Sequence, residues 1–167
     1  MSSIETASQA QAGLFICRVG AGEPRPPEPA SWWRALDGSG CLGYADGPVS
    51  DHRWGGLQPL VDLPGPSAGA TAGYHYVVET DIPPEAEADF NAWYQTEHLP
   101  GLARVTGTVR ARRFRRASGQ PVYVACYDLL SPEVLESAAW LAVRATPWSA
   151  RVRPFFFNTR RTMHALD

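Results

Sequence analysis

Tyr74-His75-Tyr76-Val77-Val78-Glu79, then Pro83-Pro84-Glu85-Ala86-Glu87-Ala88-Asp89-Phe90, then Thr108-Val109-Arg110-Ala111-Arg112-Arg113-Phe114-Arg115-Arg116 are the segments whose succession decides the fold. The first is aromatic and β-branched, as strands prefer. The second opens with prolines and carries acids in its early turns, where a helix has its positive dipole end. Phe90, Trp93 or Tyr94, and Glu97 or His98 continue at helical spacing. Pro100 disfavours helical geometry at Leu99, so the helix is expected to stop near His98. The third segment is a strand. Ser118-Gly119 makes a hairpin turn into another strand, Pro121 to Leu129.

Working outward, Ser131-Pro132 reads as a helix start, with Val134, Ala138, Leu141 and Ala145 as its apolar stripe and Pro147 as its end. Pro154 to Met163 closes the set as a strand. The order βαββαβ predicts an α+β fold, a ferredoxin-like antiparallel sheet with both helices on one face. The other face also needs cover, and a second sheet packed against it as an α+β barrel is the usual solution. That sheet comes from another chain, as a homodimer, or from residues 1–72.

Residues 1–72 are Gly- and Pro-rich and read as a partial or degenerate copy of residues 73–167. Gly13 to Val19 matches a first strand, Ala30 to Leu36 a short helix with Trp32 and Trp33, and Leu57 to Leu63 a third strand. The copy then lacks its second helix and last strand.

Composition narrows the function classes. The chain has 167 residues, 44% hydrophobic, enough for a packed core. A net charge of -2 argues against a generally basic nucleic-acid binder. No apolar run reaches the length of a membrane span. Every basic residue is arginine, which excludes a Schiff-base or P-loop lysine. Cys17, Cys41 and Cys126 lack metal or redox spacing, and the four histidines lack metal-ligand spacing. No metal and no cofactor are expected. Met1 to Ala12 has no signal-peptide pattern, so a cytoplasmic location is expected.

Two motifs match by letter only. Gly38-Ser39-Gly40-Cys41-Leu42-Gly43 satisfies the dinucleotide fingerprint, but Tyr44-Ala45-Asp46-Gly47-Pro48 cannot propagate the helix that such a motif needs. Gly65-Pro66-Ser67-Ala68-Gly69 matches a nucleophile elbow, with Asp128 and His164 downstream, but a strand follows too closely. Both read as turns. Charge is lopsided: six acids and no base lie from Glu79 to Glu97, whereas 11 arginines face three acids from Arg104 to Arg161. Ion pairing between these regions is one reading, and an anion-binding surface the other.

The chemically informative stretch is Phe90-Asn91-Ala92-Trp93-Tyr94-Gln95-Thr96-Glu97-His98-Leu99-Pro100-Gly101. Asn91, Tyr94 and His98 fall on one helix face. His98, in the last turn and beside Glu97, is expected to titrate near neutral pH and to act as a general acid or base. Tyr94 would hold a substrate oxygen, with Phe90, Trp93 and Tyr127 as apolar walls. The same histidine equally reads as a helix cap among core aromatics.

Asn91-x-Trp93-Tyr94-x-x-Glu97-His98-Leu99-Pro100, followed by Gly101 and an arginine-rich strand, resembles the EthD-like group of dimeric α+β barrel proteins. Tyr123 to Leu129, Ser131-Pro132 and Trp140 fit that group too, so the resemblance covers residues 74 to about 163. It departs at Thr106-Gly107, where Pro-Gly is common. The resemblance implies a ferredoxin-like barrel and a pocket histidine, His98, that transfers protons, with Tyr94 and Asn91 as polar companions. The superfamily holds isomerases, dehydratases, cofactor-independent monooxygenases and haem-handling enzymes. The expected partner is a small hydrophobic or aromatic molecule. A non-catalytic binding or assembly module is the rival reading, and haem binding through His75, His98 or His164 is a third.

Overall fold

The computed structural model describes residues 13–28 and 30–167. The stretch read for a signal peptide, residues 1–12, lies outside them. The first half forms β1 (Leu14–Gly20), β2 (Ser31–Ala35), β3 (Gly40–Asp46) and β4 (Gly55–Pro64). The second forms β5 (Tyr74–Asp81), α1 (Pro84–Trp93), a π-turn (Tyr94–His98), α2 (Leu99–Ala103), β6 (Thr108–Arg116) and β7 (Tyr123–Leu129). It ends with α3 (Ala138–Arg144), α4 (Pro147–Val152) and β8 (Phe157–Leu166).

The eight strands close into one barrel in the order β1-β3-β2-β8-β5-β7-β6-β4. Within each half the spatial order is fourth, first, third, second strand, the ferredoxin-like order. The halves join reciprocally. β2 pairs with β8, and β4 with β6, both antiparallel. The sheet that covers the second half is therefore the first half of the same chain.

Side-chain alternation along each strand sorts the cores. Ile16, Leu42, Leu57, Val77, Phe114 and Val124 fill the barrel. On the outer face of the second half, Val78, Ala125 and Tyr127 pack against Phe90, Trp93 and Trp140. Burying each of those large side chains contributes about 2–3 kcal/mol. Among the described residues, no helix covers the outer face of the first half. Trp32, Trp54 and Val49 cover Cys17, Val19 and Ala45 instead.

Several expectations are corrected. Residues 30–36 are not a helix: Ser31–Ala35 is a strand. Trp33 points inward onto His75, ring centroids 4.9 Å apart, and Trp32 points outward over Gly43. That alternation is the strand period. Leu57–Leu63 lies in the fourth strand of its half, so the described residues of the first half form four strands and no helix. The Gly38–Gly43 motif is the β2–β3 turn. Gly40 has φ 134°, and a Cβ there would lie 2.0 Å from the Val19 carbonyl oxygen, so the glycine serves the turn.

The second helical region is broken as well. A 3₁₀ turn (Pro132–Glu136) ends at Ser137, which caps α3 by accepting from the Trp140 N–H. The break rotates the stripe: Trp140 is buried, while Leu141 is 48% exposed. Pro147 starts α4 rather than only ending α3. The last strand begins at Phe157, three residues later than expected.

Candidate functional site

The helix carrying His98 does not stop there. The Leu99 N–H bonds back to the Tyr94 carbonyl, five residues earlier, which widens the chain into a π-turn. Pro100 has no N–H to lose, so the helix passes through it into α2. The wide turn also changes which side chains meet. In an α-helix, residues five apart point well away from each other. Here His98 stacks on Trp93, centroids 4.1 Å apart and planes 22° apart, with Tyr94 edge-on at 5.1 Å.

Trp93 is itself fixed. Its indole N–H donates to Ser149 Oγ at 3.2 Å, and Ser149 donates to the Val143 carbonyl. Thr146 caps α4 through the Ser149 N–H and donates its hydroxyl to Glu97. Glu97 thus points at α4 and does not bear on His98.

His98 lines a cavity of about 30 Å³ between the outer face of the second sheet and the helices. Tyr76 and Tyr127 form its sheet wall, Trp93, Tyr94 and Trp140 its helix wall. The volume suits about one water molecule. Arg144, Arg153 and Arg161 stand around it, and no carboxylate lines it. His98 Nδ1 and the Tyr127 hydroxyl are both buried without a hydrogen-bond partner.

The electrostatics reverse the sequence-based expectation for His98. Burial, with Arg153, Arg144 and Arg113 adding to it, pushes its pKa down to about 3. The imidazole is neutral at pH 7. The helix end does not favour the imidazolium, because the helix continues and Glu97 is engaged elsewhere. Burial likewise pushes Tyr94 up to about 12, and Tyr127 rises in the same direction for the same cause.

The predicted site residues therefore divide. His98, Tyr94, Trp93 and Tyr127 meet at the cavity. Asn91 does not. Its Oδ1 accepts from Arg113 at 2.7 Å and its Nδ2 donates to the Tyr123 hydroxyl at 3.3 Å. Phe90 packs on the far side, where Arg113 lies among the rings of Phe90, Tyr94 and Tyr123 at 4.4–4.8 Å. The expected face of Asn91, Tyr94 and His98 assumed α-helical phase throughout, and the π-turn breaks that phase.

Sequence reasoning missed a second polar cluster, inside the barrel. Asp128 accepts from His75 Nδ1 at 2.6 Å, and His75 Nε2 accepts from the Tyr44 hydroxyl at 2.8 Å. Burial lowers the His75 pKa against the pull of Asp128. Burial tends to raise Asp128, but the bond to His75 and the Arg112 charge outweigh it. The pair is thus a neutral imidazole and a carboxylate. Alternation along β5 and β7 places His75 and Asp128 on the inner face, but nothing local links them to Tyr44. His75 and His164 are fully buried in the packed barrel, and His98 borders a space for one water.

No protein-family model matches the chain, and no curated protein is similar to it in sequence. Its fold is shared by solved structures. One is a ferredoxin-fold protein from Listeria monocytogenes related to antibiotic biosynthesis monooxygenases (TM-score 0.62, 11% identity, 95% of this chain and 96% of that one). Another is an anthrone oxidase-like protein (TM-score 0.59, 12% identity, 96% and 79%). A third is LmHde, a haem-degrading enzyme from Listeria monocytogenes (TM-score 0.59, 10% identity, 92% and 99%). At these identities the likeness is one of fold alone.

Proposed function

We propose that this chain is a small cofactor-independent enzyme of EthD-like type. His98 moves a proton on a hydrophobic, oxygenated ring compound, in an isomerase, dehydratase or monooxygenase reaction. One observation carries this reading: two buried, unpartnered polar atoms, His98 Nδ1 and the Tyr127 hydroxyl, belong to residues of one aromatic-walled cavity. Each unpaired buried group costs about 1–3 kcal/mol, which a ligand that bonds to both recovers. A neutral imidazole is available to accept a proton. A ring enters by displacing the half-buried side chains at the mouth, Arg144, Arg153 and Phe156. The monooxygenase-related and anthrone oxidase-like structures with this fold support an oxygenated ring as substrate.

The test is turnover of candidate lactones and hydroxyaromatics by the wild type and by His98→Gln. The variant is expected to lose about a hundredfold or more in kcat. Equal turnover in both removes the role from His98. A non-catalytic binding or assembly module is the second reading, favoured by the single-water size of the space at His98. It predicts no turnover of any compound in the set.

A further inference from the structure

Of the 11 arginines between Arg104 and Arg161, several find acids: Arg110 binds Asp62, Arg112 binds Asp128, Arg116 and Arg160 bind Glu79, and Arg151 binds Asp89. Arg104, Arg113, Arg115, Arg144, Arg153 and Arg161 are in no ion pair among the described residues, and the last three line one cavity. They come from different elements: the last turn of α3, the turn after α4, and β8. Local sequence proximity therefore does not account for their meeting. Their mutual effect is unfavourable, since Arg144 and Arg161 add to burial in lowering the Arg153 pKa. Arg144 and Arg153 are half-buried and Arg161 is exposed, and like charges gathered around one concave space raise its positive potential, which a bound anion offsets.

We propose that the cavity takes a ring acid, a compound whose carboxylate is held by Arg144, Arg153 and Arg161 while its ring lies among Trp93, Trp140 and Tyr76. A carboxylate suits this set because its two oxygens accept from guanidinium forks in pairs. The inference rests on the reading of this cavity as the substrate site, and names the charge of the substrate. It also supplies what His98 lacks as a base. An anion that offsets Arg153 and Arg144 lifts part of the depression of the imidazole, so the carboxylate of the substrate prepares its own proton acceptor.

Benzoate and benzamide, equal in shape and different in charge, test this. Binding is followed by shifts of the Trp93 and Trp140 indole N–H signals in NMR titrations. The wild type is expected to bind benzoate about tenfold or more tightly than benzamide. Arg144→Gln with Arg153→Gln is expected to erase that preference, bringing the ratio of benzoate to benzamide affinity to about one. The His98 ring pKa is expected to rise on adding benzoate and not on adding benzamide. If both compounds shift the indole signals with equal affinity, and the double variant changes neither, the carboxylate assignment is overturned while the cavity still stands as a binding site. If neither compound shifts those signals, the cavity reading fails and the inference falls with it.

Discussion

His98 lies flat on the indole of Trp93, 4.1 Å from ring to ring, although five residues separate them on one helix. Only the π-turn brings that pair together, and the Glu97–Thr146–Ser149–Trp93 chain of hydrogen bonds holds the indole in place. The helix insertion and the α4 cap thus act on the same imidazole from two sides. Single-turn π insertions recur at functional sites, and here the insertion stacks His98, with its buried Nδ1, on the Trp93 ring.

The same burial makes stability depend on pH. His98 titrates near 6.5 when unfolded and near 3 when folded. Between those values the unfolded chain holds more protons, so stability is full above about pH 6.5 and falls as pH drops toward 3. From pH 7 to pH 5 the loss for His98 is about 2 kcal/mol. His164, lowered to about 4 chiefly by burial, loses stability in the same direction. Urea unfolding at pH 7, 6 and 5 is expected to show a shallower acid loss in His98→Gln than in the wild type. Parallel losses would contradict a neutral, buried His98.

Glu79 is the acid on which Arg18 and Arg116 converge, each at 2.5 Å, with Arg160 at 3.9 Å. Its side chain is 1% exposed. Glu79→Gln leaves those partly buried cations without a counter-charge, and the expected loss is about 3 kcal/mol. Added salt is expected to restore part of it by screening the arginines from one another. A variant with unchanged urea midpoint would show that solvent already carries those charges.

Much of the second half was legible because its segments are consistent at every level. Tyr74–Asp81 is aromatic and β-branched at its start, and Pro84 with the early acids marks a helix start. The first half was not, because its strands lean on distant partners. Trp32 and Trp33 read as a helical pair until Gly43, on the neighbouring strand, makes room for one ring and His75 stacks on the other. The cavity was half legible. Aromatic spacing placed Trp93, Tyr94 and His98 near each other, but whether Asn91 joined them hung on one extra residue in a helical turn. The pKa of His98 hung first on its burial and then on Arg153 and Arg144, from elements 46 and more residues away in sequence, which no local pattern reports.

Gly43 carries a second prediction about that outer face. A Cβ on it would lie 2.7 Å from the Trp32 ring. Trp32 is held between Trp54, centroids 5.8 Å apart, and the Arg25 guanidinium at 4.9 Å. Gly43→Ala is expected to push the indole off the sheet and to cost about 1–3 kcal/mol. The check is chemical denaturation together with a red shift of tryptophan emission. A stable variant with native emission would mean that Trp32 is not the lid of that face.

The reciprocal joining of the halves makes the strongest demand on an isolated second half. Residues 73–167 alone expose β6 and β8 as open edges and uncover Val77, Phe114, Val124 and Cys126. Both features favour association. Since β6 and β8 stand in the positions that β2 and β4 occupy in the other half, two copies can close a barrel with the same strand order. Charge works against this. Inward positions of the fragment carry Arg112, Arg116 and Arg160 against Glu79 and Asp128, and each would occur twice. The fragment is expected to form a dimer that tightens as salt rises, the reverse of an association driven by ion pairs. Sedimentation at low and high salt reads this directly. A folded monomer at both salt concentrations would show that the second half needs no covering sheet.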